Sequence, residues 1–204
     1  MAPAGAIVLC STEKITRLLK EPHMTPDMEQ QLQALLDKQA IMELINAYCN
    51  AADRHDNEKF RSLYHEDAID DHGSFFKGLA MEFIDTLPDI QANMEILHHN
   101  VTTVNIKLDG DRAEGEVYIL AFHKISTEDG PLDLLIGGRY FDKYEKRNGV
   151  WKFTYRAVDA DWAHLHQPSL VNLKNPIIDG AHIGQPGRKD PSYSIFELLQ
   201  WGKR

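Results

Sequence analysis

Cysteine is scarce in this chain: Cys10 and Cys49 are the two among 204 residues, and no Cys-x-x-Cys spacing occurs. Such usage gives neither a disulfide framework nor a zinc site, so two free thiols are expected. Long apolar runs are missing as well. No stretch approaches the roughly 20 residues that a bilayer-spanning helix needs. The segment "GAIVLC" near the N-terminus is too short to serve, and no small-residue cleavage site follows it. The expectation is a soluble, cytoplasmic protein with no membrane partner. Basic clusters are also absent. With 22 Lys and Arg against 31 Asp and Glu, the formal charge is −9. No Lys/Arg-rich face is available to track a phosphate backbone, which excludes nucleic acid as an expected partner. There is no internal repeat and no low-complexity tract.

What is present is a 43% hydrophobic chain, enough to bury a core in one domain with extensions. Residues 1–24 carry mixed polarity and a Pro-His-Met-Thr-Pro junction, and read as a flexible N-terminal arm. From Thr25 the pattern changes. Asp27 can cap a helix, and Leu32, Leu35, Leu36, Ile41, Leu44, Ile45 and Tyr48 recur at helical intervals, predicting one long helix that ends near Arg54. A short second helix runs through Phe60, Leu63 and Tyr64, and "AIDDHGSFFKG" gives a short strand with a turn. A third helix is expected over roughly residues 78–85, and a fourth helical stretch over 90–98 after a Pro-containing break.

The second half differs in kind. "VTTVNIKL" and "EGEVYILAFHKI" flank an Asp-Gly, and "LDLLIGGRYFDKYEKR" meets "NGVWKFTYRAVDADW" through an Asn-Gly, the strongest short hairpin signal. Helices first and a meander of antiparallel strands after them argue an α+β domain over residues 25–163. Residues 164–204 read as a C-terminal extension in which "SYSIFELLQWGKR" can form a short terminal helix.

Several polar residues sit where burial is expected. Asp53 closes the long helix, about 140° around it from Tyr48. It is either a helix-end residue facing water or an acid at the mouth of a pocket, placed to orient a histidine. Asp70 and His72 share one strand face while Ile69 and Asp71 share the other, so the polar pair lies on a solvated side or lines a site. In "EILHHN" the two histidines point to opposite faces, His99 with Val101 and Thr103, and His98 with Asn100 and Thr102. Periodicity does not choose between them. Arg139 in "IGGRYF" and Arg156 in "WKFTYR" lie in runs built for burial, where a guanidinium must find a carboxylate or a substrate oxygen.

Taken together, "AIMELINAYCNAADRHD", "HHNVTTVNIKLDGDRA" and above all "LLIGGRYFDKYEKRNGVWKFTYR" resemble the SnoaL-like branch of the nuclear transport factor 2-like (NTF2-like) superfamily, over about residues 28–162. The resemblance implies a cone: a curved antiparallel sheet wrapped over N-terminal helices around one deep pocket. Family members include hexachlorocyclohexane dehydrochlorinase, bile-acid dehydratase, scytalone dehydratase, polyketide cyclases and ketosteroid isomerase, most of which need neither metal nor organic cofactor.

The same resemblance implies roles residue by residue. Asp53 falls on an aspartate that orients a base, His99 on the histidine that takes a proton from carbon, and Arg156 on an arginine that steadies a leaving group. Tyr48 falls on a catalytic tyrosine of the bile-acid enzyme, where the dehydrochlorinase has lysine. Asp70, His72, Arg139 and Tyr140 are the substrate-binding candidates. A neutral imidazole whose other nitrogen is held by a carboxylate is a competent base near neutral pH. The implied activity is a lyase, a dehydratase on a hydrophobic ring-containing substrate; a double-bond isomerase, a carbon-carbon lyase and a non-catalytic binding module are the alternatives. No metal and no cofactor are expected, and a homodimer or homotrimer is.

Overall fold

The computed structural model describes residues 24–203. Apart from Met24, the expected N-terminal arm and Cys10 lie outside the described residues. Among the described residues, those up to Leu36 and those from Asp37 onward fall into two separate units.

Helix α1 spans Pro26–Asp53 and α2 spans Asn57–Leu63. Asp56 caps α2, its side chain accepting from the main-chain N–H of Lys59 at 3.0 Å. Strand β1 follows at once as Tyr64–Asp71, and β2 is the short Lys77–Leu79. Helix α3, Ala80–Gln91, runs six residues beyond its expected end and carries Pro88 inside it. The ring of Pro88 is on the exposed side, where water can serve the carbonyl left without an N–H.

Four long strands complete the sheet: β3 Met94–Asp109, β4 Arg112–Ile125, β5 Leu132–Arg147 and β6 Val150–His166. The expected fourth helix over residues 90–98 is not formed. From Met94 onward that segment is strand, paired with β4 from Met94↔Ile125 through His99↔Ala121. Cross-strand pairing along an entire hairpin outweighs the weak local preference of a short apolar run. Both predicted turns are present. Asn148 and Gly149 both have positive φ, 53° and 78°, as a two-residue hairpin of mirror-image type requires.

The six strands lie in the order β2-β1-β6-β5-β4-β3 and form a curved, unclosed sheet. Register shifts in the β3–β4 pair at Val101/Thr103 and in the β5–β6 pair at Gly137/Gly138 and Lys143/Tyr144 supply local bending. The sheet is not wholly antiparallel as expected, because β1 and β6 run parallel. Helix α3 supplies part of the crossover that such a pair needs. The core lies on the concave face, where Ile41, Leu44, Ile45 and Tyr48 of α1 join Phe60, Tyr64, Val117, Tyr140, Tyr144 and Phe153. The alternation of β4 and β5 leaves Tyr118, Leu120, Leu135, Phe141 and, on β6, Trp162 exposed on the opposite face.

Candidate active site

The end of α1 brings Asp53 against the start of β3. Its Oδ1 lies 2.6 Å from Nδ1 of His99, and both carboxylate oxygens accept the main-chain N–H of His99 at 3.1 Å. The two side chains are 11% and 12% exposed, so the bond is sheltered from water yet reachable. A carboxylate partner assigns the proton of the neutral ring to Nδ1 and leaves Nε2 with its lone pair. Nε2 has no hydrogen-bond partner among the described residues. Leu97 on the same face of β3 and Ala121, the cross-strand partner of His99, are buried, while His98 is exposed on the opposite side of the strand.

A second histidine, overlooked in the sequence, faces the first. His123 of β4 has its ring centroid 5.5 Å from that of His99, and its Nε2 is buried without a hydrogen-bond partner among the described residues. Burial, helped by the neighbouring His99, pulls the His123 ring down to about 4, so it is neutral at ordinary pH. The sequence signal was present: Val117, Ile119, Ala121 and His123 share one face of β4 at period two, and three of them are plainly core.

A second polar group is built across the sheet around Arg156. The pairing registers place Asp70, Arg156 and Asp142 in one row on β1, β6 and β5, all at or near zero exposure. Arg156 donates from Nε and Nη2 to the two oxygens of Asp142 at 2.7 and 2.6 Å, and Tyr144 adds a bond to the same carboxylate at 2.6 Å. Gly115, next in the row, leaves room for Tyr144; a Cβ there would sit 3.0 Å from its ring. The guanidinium is stacked within 3.8 to 4.2 Å of the ring centroids of Tyr48, Tyr140 and Phe153. Its Nη1 is left without a partner among the described residues.

Asp70 is buried with Ala68, so the Asp70 face of β1 is not solvated. Tyr64 donates to Asp70 at 2.5 Å. His72, just beyond the strand end, has Nε2 2.8 Å from Asp70 Oδ1 but out of line for a hydrogen bond, and its ring stacks on Phe83 at 4.5 Å. Burial raises the Tyr48 hydroxyl, with Asp70 adding and Arg156 opposing; burial also raises Tyr140. Both phenols therefore stay protonated and act as donors. Between the two groups Cys49 is pushed by burial up to about 12 and is an unreactive thiol.

The structure thus joins Asp53 to His99, and gathers Tyr48, Tyr140, Arg156, Asp70 and His72 into a second cluster. Among the described residues no hydrogen bond, ion pair or ring contact links the two groups. Tyr48 lies about 7.5 Å along the α1 axis from Asp53. Arg139 is in neither group. It projects on the face of β5 opposite Tyr140, held by Glu116, Asp159 and Asp161 at 2.7 to 3.0 Å, away from the concave interior. Its signal in the sequence, an arginine among apolar residues, is explained by an outer-face ion network. Among the described residues no group of three or more His, Cys, Asp or Glu side chains is arranged to hold a metal ion, and no helix is long and apolar enough to cross a membrane.

An α+β cone with a histidine held by a helix-end aspartate defines the class, and comparison with known proteins gives the family. Residues 33–157 match the model of the SnoaL-like domain, and the chain belongs to that family. No protein among those with curated descriptions matches it significantly. Among solved structures, it is similar to a candidate scytalone dehydratase from Novosphingobium aromaticivorans DSM 12444, at 23% identity and TM-score 0.59 over 64% of this chain and 88% of that one. It is also similar to the hexachlorocyclohexane dehydrochlorinase LinA-type3 from Novosphingobium barchaimii LL02, at 19% identity and TM-score 0.63 over 70% and 98%. A third likeness is to a candidate aromatic-ring hydroxylase from Novosphingobium aromaticivorans DSM, at 25% identity and TM-score 0.58 over 65% and 93%.

Proposed function

We propose that this chain is a cofactor-independent lyase that eliminates water from a hydrophobic, ring-containing substrate such as a steroid, terpenoid or aromatic compound. The bond of 2.6 Å between Asp53 and His99, with Nε2 left open, is the observation that carries the reading. In the proposed step Nε2 of His99 removes a proton from carbon beside a carbonyl or ring system. Asp53 stabilises the imidazolium that results, and the same proton is handed to the departing hydroxyl, which leaves as water. A C–H and a C–O bond break and a C=C bond forms, with no net redox change.

Negative charge developing on the substrate needs donors that are already in place. His123, neutral and unpartnered at Nε2, stands beside the base and would donate to the substrate oxygen. Tyr48 and the open Nη1 of Arg156 lie deeper and would meet the far end of a ring system. Likeness to a candidate scytalone dehydratase and to a dehydrochlorinase supports elimination as the reaction type. We extend the proposal to a homodimer or homotrimer assembled through the outer sheet face that carries Leu120, Leu135 and Trp162.

The test is a screen of hydroxylated steroids, terpenoids and aromatic diols, with wild type and His99→Ala run in parallel and products read by mass spectrometry. A product lighter by one water, formed by wild type and lost in the variant, is the expected result. A product of unaltered mass with a shifted double bond changes the reaction to isomerisation. Turnover that survives intact in His99→Ala removes the base.

A further inference from the structure

A cavity of about 440 Å³ lies on the outward side of α1 and shares no lining residue with the site around His99. Glu43, Asn46, Ala47 and Asn50 form one of its walls at helical spacing, opposite the buried stripe of Leu44, Ile45 and Tyr48. The C-terminal extension forms the other wall with Phe196 and Leu199, which are 46% and 58% exposed. Lys59 of α2 also lines the cavity.

Lys59 is the unusual element. It is 5% exposed, and its ammonium makes one hydrogen bond, to Oδ1 of Asn50 at 2.7 Å. Among the described residues no carboxylate lies within ion-pair distance of it. The nearby Asp56 is committed elsewhere, to the main-chain N–H groups of Lys59 at 3.0 Å and Gly202 at 2.7 Å. Glu43, the one acid on the wall, accepts from Gln39 at 3.1 Å. A buried ammonium costs free energy unless an anion or several acceptors meet it, and here one amide does. Burial accordingly pulls the Lys59 amine below its usual value, against the attraction of Asp56. Beside that unpaired charge the cavity offers apolar surface from Ala47, Phe196 and Leu199, with Lys203 as a second cation on the lining.

We propose that this cavity is a second binding site, for a short amphipathic carboxylate whose head group meets Lys59 and Asn50 and whose tail lies on Ala47, Phe196 and Leu199. Size agrees with the proposal, since small-molecule sites run from roughly 300 to 1,000 Å³. The apolar wall favours an acid with a tail over a free inorganic anion, and the charge favours the acid over its neutral amide.

Calorimetric titration of the full chain with octanoate and with octanamide tests this. Saturable binding of one octanoate per chain is expected, with octanamide weaker by about tenfold or more, the loss of one charge-assisted contact. Lys59→Met is expected to weaken octanoate by a similar factor, and His99→Ala to leave it unaltered. The His99 variant separates this site from the proposed catalytic one. Equal binding of the amide, wild-type affinity in Lys59→Met, no saturable binding up to millimolar octanoate, or loss of binding in His99→Ala would each overturn the proposal. If Lys59→Met fails to fold, Phe196→Asp on the exposed wall takes its place; retained octanoate affinity there overturns the proposal too.

Discussion

Asp53 holds His99 by two donors of the same residue, the ring Nδ1–H at 2.6 Å and the main-chain N–H at 3.1 Å. The first fixes the tautomer and the second ties the backbone of the edge strand β3 to the end of α1. Asp53→Asn removes the negative charge that stabilises a protonated ring while keeping the side chain's shape. A fall in kcat of about 10²- to 10⁴-fold is expected, with the far-ultraviolet spectrum unaltered. His99→Ala should fall at least as far. Steady-state kinetics on a substrate found by the screen decides, and wild-type kcat in Asp53→Asn would falsify the role given to the pair.

The Arg156–Asp142 pair predicts a stability effect independent of any substrate. Both side chains are fully buried, so Asp142→Asn leaves a guanidinium enclosed by aromatic rings without the one carboxylate it is bonded to. A loss of about 3–5 kcal/mol in urea unfolding is expected. The double variant Arg156→Met/Asp142→Leu should lose less than the two single changes added together. Strict additivity would mean that the pair is not an energetic unit.

His123 predicts a pH dependence. Its ring is held down to about 4 in the folded chain, against 6.5 as the ordinary value. The unfolded chain therefore gains a proton below about pH 6.5 that the folded chain refuses, and stability falls as pH drops from there toward 4, by at most about 3 kcal/mol. In His123→Gln this part of the slope should vanish. Thermal unfolding of both proteins between pH 4 and 7 gives the comparison, and parallel curves would contradict it.

Gly137 makes room for an aromatic ring. A Cβ at this position would lie 2.2 Å from the indole of Trp162 on the neighbouring strand. Gly137→Ala must push the indole or the strand, at a cost of about 1–3 kcal/mol. A raised emission change for Trp162 should accompany the lower midpoint in chemical denaturation. An unaffected midpoint would show that the ring moves freely.

Trp162 also tests the proposed assembly. Its ring is 48% exposed and it shares the outer face of the sheet with Leu120 and Leu135, each exposed by more than a third. Trp162→Glu places a charge at the centre of that face. Light scattering behind a sizing column should read an oligomer for the wild type and a monomer for the variant; a wild-type monomer contradicts the assembly.

Much of the fold is legible in the sequence because its strongest signals are local. The heptad-like spacing through Ile41, Leu44, Ile45 and Tyr48 places α1 within one residue of its end, and Asn148-Gly149 places a turn to the residue. The misreadings concern what is distant in the chain. Residues 94–98 look helical alone and become strand because β4, some thirty residues on, pairs with them. The parallel contact of β1 with β6 leaves no local mark. Alternation showed that Asp70 and Ile69 face opposite ways, but the partner that makes the Asp70 side the interior is Tyr64 of the same strand, bonded through a buried hydroxyl. Arg139 and Arg156 look alike in the sequence. Strand parity separates them: Arg156 faces Asp142 indoors, and Arg139 faces three acids outdoors.

One peptide bond separates Asp53 from Arg54, and the two side chains serve different masters. Asp53 takes hold of His99, while Arg54 grips the far end of the chain: its Nη1 donates to Asp190 at 2.6 Å and to the carbonyl of Gln185 at 3.1 Å, and its own carbonyl receives Gly187 at 2.8 Å. Although burial alone would raise it, hydrogen bonds from Ser192, Gln185 and Arg54 keep the Asp190 carboxyl down at about 2, so this clasp stays charged throughout the physiological range. Residues 185–190 are thus moored one step from the carboxylate that holds the His99 ring. A chain cut after residue 181 keeps every strand of the sheet and loses all three of those ties, so the geometry around Asp53 depends on a segment that no strand needs.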